Sequence, residues 1–264
     1  MATVLNAYGI CPAAPQVLEF SGVFTGRKLS HKERRLSSNL RSVNDLLDGG
    51  IPRGRISEII GRQSSGKTSL AASFIAAATQ RGETVAVVDW EDAFDPSTMA
   101  TAGVDLNRVL WTAFPTGGAS VPRGYLNGAP ADRAPVSAAW KAAELILEAG
   151  GFGLLVLDFG GYMRSIPQSA ALRIARLAER SGTSVLILAH HRMYGTFAAL
   201  GLALRRSATL FDGHAMFDGF GIEALVTRNK LGGSGGGGHW RTVIDPSSEN
   251  PYTVPNHKRA WFIE

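Results

Sequence analysis

Apolar positions in the chain follow two alternating patterns. Short, nearly continuous apolar runs cover residues 84–89, 154–158 and 184–189, and residues 55–60 are a further short strand candidate with apolar Ile56, Ile59 and Ile60. Runs of this kind are typical of strands that are buried on both faces of a parallel sheet. Between them, apolar residues recur at helical spacing, as in Val136, Trp140, Ala143 and Leu147. This alternation predicts an α/β fold with a mostly parallel sheet flanked by helices.

The ends of the helices can be predicted from local signals. A helix is expected over residues 66–80, and Gly82 ends it because glycine readily adopts the left-handed conformation. A later helix runs to about Arg180, and Ser165 with Gln168 has the spacing of a capping box at its start. The apolar face of this later helix consists of Ala170, Ile174, Leu177 and Ala178.

The pattern changes after Arg206. Short strand candidates occupy residues 208–211 and 222–227, and they predict antiparallel additions to the edge of the sheet. Residues 115–134 are rich in glycine and proline and predict a loop. Residues 232–238 are almost entirely glycine and predict a flexible loop.

These patterns divide the chain into three parts. Residues 1–42 form an N-terminal arm, residues 43–231 form the core, and residues 232–264 contain the glycine-rich loop and a C-terminal tail. The arm includes a basic segment, residues 27–41. This segment is either a solvated surface or a contact for DNA or an acidic partner, and the sequence leaves the choice open.

Composition narrows the class of protein. The 264 residues are 45% hydrophobic, which suits one α/β domain with a large core. The 27 basic and 22 acidic side chains give a formal net charge of +5, which permits an anionic partner such as DNA without requiring one. Cys11 is the single cysteine, so an internal disulfide is excluded. We expect a cytoplasmic protein with no signal peptide and no membrane span.

One motif carries specific chemistry. Its residues are Gly61, Arg62, Gln63, Ser64, Ser65, Gly66, Lys67 and Thr68. Glycines let the backbone curl so that successive N–H groups and the start of the following helix bind phosphate oxygens. Lys67 is expected to reach the β- and γ-phosphates of ATP, and Thr68 to place its hydroxyl on Mg²⁺. A chance glycine turn is the alternative, but a predicted strand precedes the motif and a predicted helix follows it, as phosphate loops require.

Residues at other strand ends complete a candidate site. Asp158 ends its apolar run and is predicted to hold the hydration shell of Mg²⁺. Glu91 follows the strand ending at Asp89 and is the candidate catalytic residue that orients the attacking water, although Asp92 competes for this role. His190 is a candidate sensor of the γ-phosphate, and a strand-end histidine without a ligand fits its position equally well.

The stretch from residue 46 to residue 104 resembles the bacterial recombinase RecA. The resemblance is carried by GGIPRGRI (49–56), by the end of the phosphate loop, by DWEDAFDP (89–96) and by GVD (103–105). It continues more weakly to about residue 231. It implies a RecA-like fold, with Glu91 as the catalytic glutamate and Asp95 as a contact of adenine. His190 stands where the family couples nucleotide to DNA binding. Arg228 and Lys230 resemble the basic pair that reaches ATP on a neighbouring subunit.

Departures from the family pattern change the implied function. Thr98 stands at the position of an adenine-stacking aromatic residue, and residues 159–167 and 192–206 lack the length or composition of the family's two DNA loops. A shortened chain of this kind resembles the ImuA group of accessory proteins in SOS-induced mutagenesis. That resemblance implies an accessory ATPase in DNA repair and translesion synthesis, with RecA or a Y-family polymerase as partner. Contact with single-stranded DNA and self-association are further implied options.

Two alternative functions remain open from the sequence. One is a DNA-dependent recombinase that performs homologous strand exchange, which the shortened DNA loops disfavour. The other is a scaffold that binds proteins without hydrolysing ATP, which the presence of Lys67, Thr68, Glu91 and Asp158 disfavours.

Overall fold

The computed structural model describes residues 5–6, 9–10, 34–90, 93–113, 134–159, 166–211, 217–231, 237–243 and 262–263. The chain divides into two compact units, Met1–Lys32 and Glu33–Glu264. In the first unit, strands β1 (Leu5–Asn6) and β2 (Gly9–Ile10) pair antiparallel. All other described elements belong to the second unit, which carries the candidate site.

Four of the described strands in the second unit follow the segments predicted from apolar residues closely. Their bounds are β3 (Arg35–Leu36), β4 (Ile51–Pro52), β5 (Ile56–Ile60), β6 (Thr84–Asp89), β7 (Val109–Ala113), β8 (Phe152–Asp158), β9 (Ser184–Ala189), β10 (Leu200–Phe211), β11 (Phe217–Asn229), β12 (Gly237–Val243) and β13 (Phe262–Ile263). The predicted runs 84–89 and 184–189 coincide with β6 and β9. The two other predicted runs agree with β5 and β8 to within two residues.

Helices lie between these strands, as predicted. In the described part of the chain they are α1 (Arg41–Leu46), α2 (Lys67–Gln80), α3 (Pro96–Thr101), α4 (Ala134–Ala149) and α5 (Gln168–Ser181), with one 3-10 turn at Leu106–Arg108. The end of α2 is confirmed, because Gly82 has a φ of +85°. The capping box of Ser165 and Gln168 is wrong. Pro167 directly precedes α5, and no side chain caps the start of this helix. Gln168 is the first helical residue, whereas a capping box requires it to be the third.

A nine-stranded sheet organises the described part of the second unit. Its order is β13-β12-β11-β10-β5-β9-β8-β6-β7. The strands from β10 to β7 in this order pair in parallel, whereas β11, β12 and β13 add to them antiparallel. The predicted α/β fold with a mostly parallel sheet is therefore confirmed.

Strands β10 and β11 are longer and more central than the sequence indicates. They extend well beyond the predicted segments 208–211 and 222–227. The first residues of β10 pair in parallel with β5, so they lie inside the sheet and not at an added edge. Leu200, Leu202 and Leu204 are buried there in the core.

Two apolar cores cover the two faces of the sheet. Side chains of α2, such as Phe74, pack against one face together with Val85 and Val87 of β6. Side chains of α4 and α5 pack against the other face together with Ala86 and Val88 of the same strand. The alternation follows from strand geometry, in which successive side chains point to opposite faces.

The second unit begins before the predicted border between residues 42 and 43. Leu36, Leu40 and Val43 are buried in the core on the α2 side, so part of the basic segment 27–41 belongs to the folded unit. Gly237 and Gly238, predicted to belong to a flexible loop, begin β12. Residues 114–133 and 232–236 lie outside the described residues. Among the described helices, none has the length and apolar character needed to cross a bilayer.

Candidate nucleotide-binding site

The phosphate loop, residues 61–68, connects β5 to α2 at the carboxyl end of the parallel strands. This is the edge at which ligands bind in open α/β sheets. The N–H of Gly61 donates to the carbonyl of Ala189 in β9 at 3.1 Å and holds the start of the loop. A Cβ on Gly61 would lie 2.4 Å from Ser65 Oγ and 2.7 Å from the carbonyl oxygen of Leu204. The loop therefore needs glycine at position 61, because the backbone of β10 passes close to it.

Gly66 sets the direction in which α2 leaves the loop. Its φ is +86° and that of Ser64 is +58°, both in the left-handed region. The N–H of Leu70 donates to the carbonyl of Gly66 at 2.9 Å and closes the first helical turn. The first N–H groups of a helix have no intrahelical partners, and this end of a helix binds phosphate. The predicted order of strand, loop and helix is confirmed.

Lys67 lies inside the curl of the loop and is only 8% exposed. Its ammonium group donates to the carbonyl oxygens of Gly61 at 2.8 Å and Arg62 at 3.0 Å. A buried ammonium group requires such partners. They hold the positive charge inside the loop, while the side chains of Arg62, Gln63 and Ser64 are exposed.

Thr68 and Asp158 line one cleft next to the loop. Asp158 ends β8, and its register partner at the end of β6 is Asp89, which lines the same cleft. The remaining lining residues are Ala71, Ile75, Val87, Ala93, Phe94, Met99, Val156 and Leu188. A hydroxyl and a carboxylate are oxygen ligands of the kind that Mg²⁺ takes, directly or through water. The chemistry of these two side chains fits Mg²⁺ in this cleft.

Asp89 binds the backbone of Ala93 and Phe94, which follow Glu91 and Asp92 in the sequence. It is 1% exposed, and its carboxylate accepts the backbone N–H groups of Ala93 at 3.1 Å and Phe94 at 2.8 Å. It also accepts the indole N–H of Trp111 at 3.3 Å. These bonds hold Ala93, Phe94 and Trp111 at the end of β6. Sequence reasoning recognised Asp89 only as a strand end. The signal that could have found its role is an aspartate at the start of a turn, where such side chains bind nearby backbone N–H groups.

Glu91 and Asp92 lie outside the described residues, so the catalytic role of Glu91 stays a prediction. Asp95 follows them and caps α3, because its carboxylate accepts the backbone N–H groups of Ser97 at 3.2 Å and Thr98 at 3.0 Å. It also accepts the hydroxyl of Thr98, and this bond is the main reason that the pKa of Asp95 is lowered. Contact between Asp95 and adenine stays a prediction, and it would involve a carboxylate that already caps a helix.

His190 follows β9 directly and is half-buried. Because β9 lies between β5 and β8, His190 is at the same edge of the sheet as the phosphate loop and Asp158. This location agrees with the proposed sensing of a γ-phosphate, and the role itself stays a prediction.

Arg228 and Lys230 lie away from the phosphate loop of their own chain. Arg228 is in register with Gly201 on β10, and Gly201 is in register with Glu58 on β5. Glu58 precedes Gly61 by three residues, so Arg228 lies about 10 Å back along the strands and about 10 Å across them. The two cations are therefore not part of the cleft. A contact with nucleotide would require ATP bound to another chain.

The chain is similar to known proteins in both sequence and fold. The RecA N-terminal domain matches residues 25–121. Protein RecA of Chlorobium limicola is 55% identical over 62 residues, which are 24% of this chain and 18% of that protein. Protein RecA of Arthrospira platensis is 30% identical over 221 residues, 76% of this chain and 59% of that protein. The crystal structure of the RadB recombinase has a TM-score of 0.54 and 18% identity over 78% of this chain and 96% of that one.

The likeness to RadB shows that the fold is RecA-like, and at this identity it shows the fold alone. The matches in sequence support a RecA-like family for the chain, and members of that family bind ATP with Mg²⁺. The chain spans less than two thirds of the length of these RecA proteins. The resemblance to the ImuA group stays a prediction.

Proposed function

We propose that the chain binds ATP with Mg²⁺ at the phosphate loop and hydrolyses it. The observation that carries this proposal is the Lys67 ammonium group inside the loop, with Thr68 and Asp158 on the adjoining cleft. A buried positive charge, the start of a helix and oxygen ligands converge there at one edge of the sheet. The likeness to RecA spans this loop and supports ATP as the nucleotide.

Each residue of the site has its own task in this proposal. Lys67 and the N–H groups of the loop orient the β- and γ-phosphates and stabilise the negative charge that develops on them. Thr68 and Asp158 hold Mg²⁺, which when bound stabilises charge on the transferred phosphoryl group. Glu91 orients the attacking water and accepts its proton. Asp89 positions the loop of Glu91.

A neighbouring subunit would complete the site. Arg228 and Lys230 are distant from the phosphate loop of their own chain, so we propose that they contact ATP on a neighbour. His190 would contact the γ-phosphate from within the same chain. Turnover per subunit should then rise with protein concentration, because only associated subunits have a complete site.

The deciding experiment measures ATP binding and turnover, with and without single-stranded DNA. We expect Lys67→Ala to lose binding and Glu91→Gln to bind ATP but not hydrolyse it. Lys141→Ala is a matched control, since this lysine is 62% exposed on α4, and it should behave as the native chain does. Binding without turnover in the native chain would contradict hydrolysis and favour the non-hydrolysing scaffold.

We further propose an accessory role in DNA repair, the SOS response and translesion synthesis, with RecA or a Y-family polymerase as partner. The likeness to RecA over part of that protein's length supports this role. Homologous strand exchange is the second candidate. The position of residues 200–206 disfavours strand exchange. Leu200, Leu202 and Leu204 are buried in β10, so this part of the chain does not form an open loop that could bind DNA.

Two assays on the purified chain separate these roles. Binding to immobilised RecA and to a Y-family polymerase should be detectable for at least one of them, and strand exchange should be absent. Exchange of homologous strands would support the recombinase instead. Absence of both activities would contradict the accessory role.

A further inference from the structure

Glu58 is a buried carboxylate in the middle of β5, the strand that leads into the phosphate loop. It is 3% exposed and shares a face of the strand with Ile56 and Ile60, which pack in the core on the α4 and α5 side. A carboxylate in an apolar core is costly unless hydrogen bonds compensate. Its Oε1 accepts the backbone N–H groups of Met193 at 2.5 Å and Tyr194 at 3.2 Å.

These two N–H groups belong to the crossing segment, residues 190–199, which runs from the end of β9 back across the sheet to the start of β10. At its far end, Ala199 donates to the carbonyl of Ile56 at 2.8 Å and accepts the backbone N–H of Lys230 at 2.9 Å. The ammonium group of Lys230 donates to another carbonyl of the segment. The crossing segment thus connects the nucleotide edge of the sheet with the end of β11, and Glu58 holds its middle.

Arg228 faces Glu58 across a glycine. Glu58 is in register with Gly201, and Gly201 with Arg228. An irregularity of the pairing between Gly201 and Leu202 turns Arg228 to the face on which Glu58 lies. Gly201 leaves room between the two side chains, since a Cβ there would lie 3.3 Å from the Cβ of Arg228.

Electrostatic attraction also links Glu58 with Arg192 and Arg228. Burial raises the pKa of Glu58, while its two backbone hydrogen bonds and the charges of Arg192 and Arg228 counteract part of that rise. Arg192 lies in the crossing segment and Arg228 on β11. One buried carboxylate therefore attracts a cation in each of the two elements that lie beside it.

We propose that Glu58 is a positioning residue that holds the crossing segment and Arg228 in the arrangement in which Arg228 contacts ATP on a neighbouring subunit. This inference rests on the proposed function of the nucleotide site. Glu58 faces the core opposite the cleft, because the cleft is lined by Val87, Val156 and Leu188 of the other core. Loss of Glu58 should therefore displace Arg228 from the ATP of the neighbouring subunit. It should leave ATP binding by the chain that carries the substitution unchanged.

Mixing of subunits tests this assignment. Glu58→Gln keeps the volume of the side chain and removes its charge. We expect it to bind ATP within about twofold of the native chain and to lose about 10- to 100-fold in turnover, as for a displaced catalytic group. Mixed with Lys67→Ala, which retains Arg228, it should regain turnover, and mixed with Arg228→Ala it should not. Recovery with Arg228→Ala, or with neither variant, would overturn the proposal.

Gly201→Ala is a second variant that leaves both charges in place. The added Cβ would lie 2.9 Å from Thr227 Oγ1 and 3.3 Å from the Cβ of Arg228, so it should displace Arg228 from Glu58. We expect the same pattern of recovery as for Glu58→Gln. Turnover equal to that of the native chain would count against a direct relation between Glu58 and Arg228.

Amide hydrogen exchange separates this proposal from the proposed function, because it requires no turnover. In Glu58→Met, which keeps much of the side-chain volume and has no oxygen acceptor, the amides of Met193 and Tyr194 should exchange about tenfold faster or more, while those of β6 should exchange as in the native chain. Unchanged exchange at both amides would overturn the positioning role even if ATP is hydrolysed. Absent turnover in the native chain would overturn the proposed function, and the exchange rates would still decide whether Glu58 holds the crossing segment.

Discussion

Gly66 of the phosphate loop lies against Ile222 of β11, so closely that a Cβ on Gly66 would be 2.1 Å from Ile222 Cδ1. Gly61, at the other end of the loop, lies against Leu204 of β10 in the same way. The hairpin of β10 and β11 therefore supports the phosphate loop from one side. Both glycines are required by close approach as well as by the curl of the loop.

Gly66→Ala should destabilise the chain more than Gly82→Ala does, and it alone should weaken ATP binding. Both glycines are left-handed, with φ of +86° and +85°, so alanine costs about 1 kcal/mol at either position from the backbone alone. Nothing lies within 4 Å of a Cβ at Gly82, whereas Ile222 must move at Gly66. Urea unfolding and calorimetric titration with ATP measure the two differences.

The double variant Gly66→Ala with Ile222→Val tests the cause of the larger loss. Valine lacks Cδ1, so part of the extra loss should be recovered. Because Cδ1 is the end of a side chain that can rotate, we expect a coupling energy near the lower end of the range for contacting residues, about 0.5–1 kcal/mol. Equal losses in the two single glycine variants would show that Ile222 turns away without cost.

Asp89→Asn should lower turnover more than it lowers ATP affinity. An asparagine side chain has one acceptor oxygen and cannot accept all three N–H groups that Asp89 binds. The loop of Glu91 should loosen, and the free energy of unfolding should fall by about 1–3 kcal/mol. Steady-state turnover, ATP titration and urea unfolding provide the three measurements.

Asp95→Asn is the matched control for stability. Asparagine and aspartate cap helices about equally well, so the free energy of unfolding should change little. A fall in ATP affinity without a fall in stability would support the predicted contact with adenine. A loss of stability as large as that of Asp89→Asn would contradict the distinction between a buried loop anchor and an exposed cap.

The ion pair of Arg53 and Glu83 should make the stability of the chain fall in acid. Their two hydrogen bonds are both 2.6 Å long, and they are the main reason that the pKa of Glu83 lies below its ordinary value of 4.5. A lowered pKa means that the stabilisation is present above pH 4.5 and is lost as the pH falls through the folded value. The free energy of unfolding should therefore fall more steeply in acid for the native chain than for Glu83→Gln.

Gly153→Ala should remove the same acid-dependent part of stability. A Cβ at this position would lie 1.9 Å from Glu83 Oε2, so the carboxylate would have to leave Arg53. Urea unfolding between about pH 3 and pH 7 compares the three chains. If the free energy of unfolding of Gly153→Ala falls in acid as steeply as that of the native chain, the ion pair survives the substitution.

The order of strands and helices could be predicted because it depends on local patterns. Residues 84–89 and 184–189 are mostly apolar, and the first of these segments is rich in β-branched side chains, as suits strands buried on both faces. Strand β10 was underestimated although Leu200, Leu202 and Leu204 alternate with small residues. Its parallel pairing with β5 joins residues far apart in the chain, and no local pattern displays such a pairing.

The residues of the site likewise include some that a local pattern identifies and some that only the fold identifies. The phosphate loop could be predicted because its chemistry lies in eight consecutive residues, 61–68. Glu58 could not be assigned, because the residue it binds, Met193, is 135 positions away. A glutamate within an apolar strand indicates that it has a partner, but the partner is defined only by the fold. The same holds for the indole of Trp111, which binds Asp89 from the neighbouring strand.

The contribution of Glu58 to the free energy of unfolding should change with pH in the direction opposite to that of Glu83. Burial raises its pKa above the ordinary value of 4.5, so its contribution is fully present below pH 4.5 and is lost as the pH rises through the folded value. The groups that face Glu58 include Arg192, Arg228 and Tyr194, and burial raises the pKa of the Tyr194 hydroxyl well above its ordinary value.

The difference in unfolding free energy between Glu58→Gln and the native chain isolates this effect. Glutamine does not titrate, so the difference should shift in favour of the variant as the pH rises above 4.5, and it should level off once Glu58 is ionised. Urea unfolding of both chains between about pH 4 and pH 8 gives the curve. Glu83→Gln, measured in parallel, should show its change at the acid end of the range. A difference that is constant with pH, or that shifts toward the native chain, would mean that Glu58 is not desolvated in the folded chain.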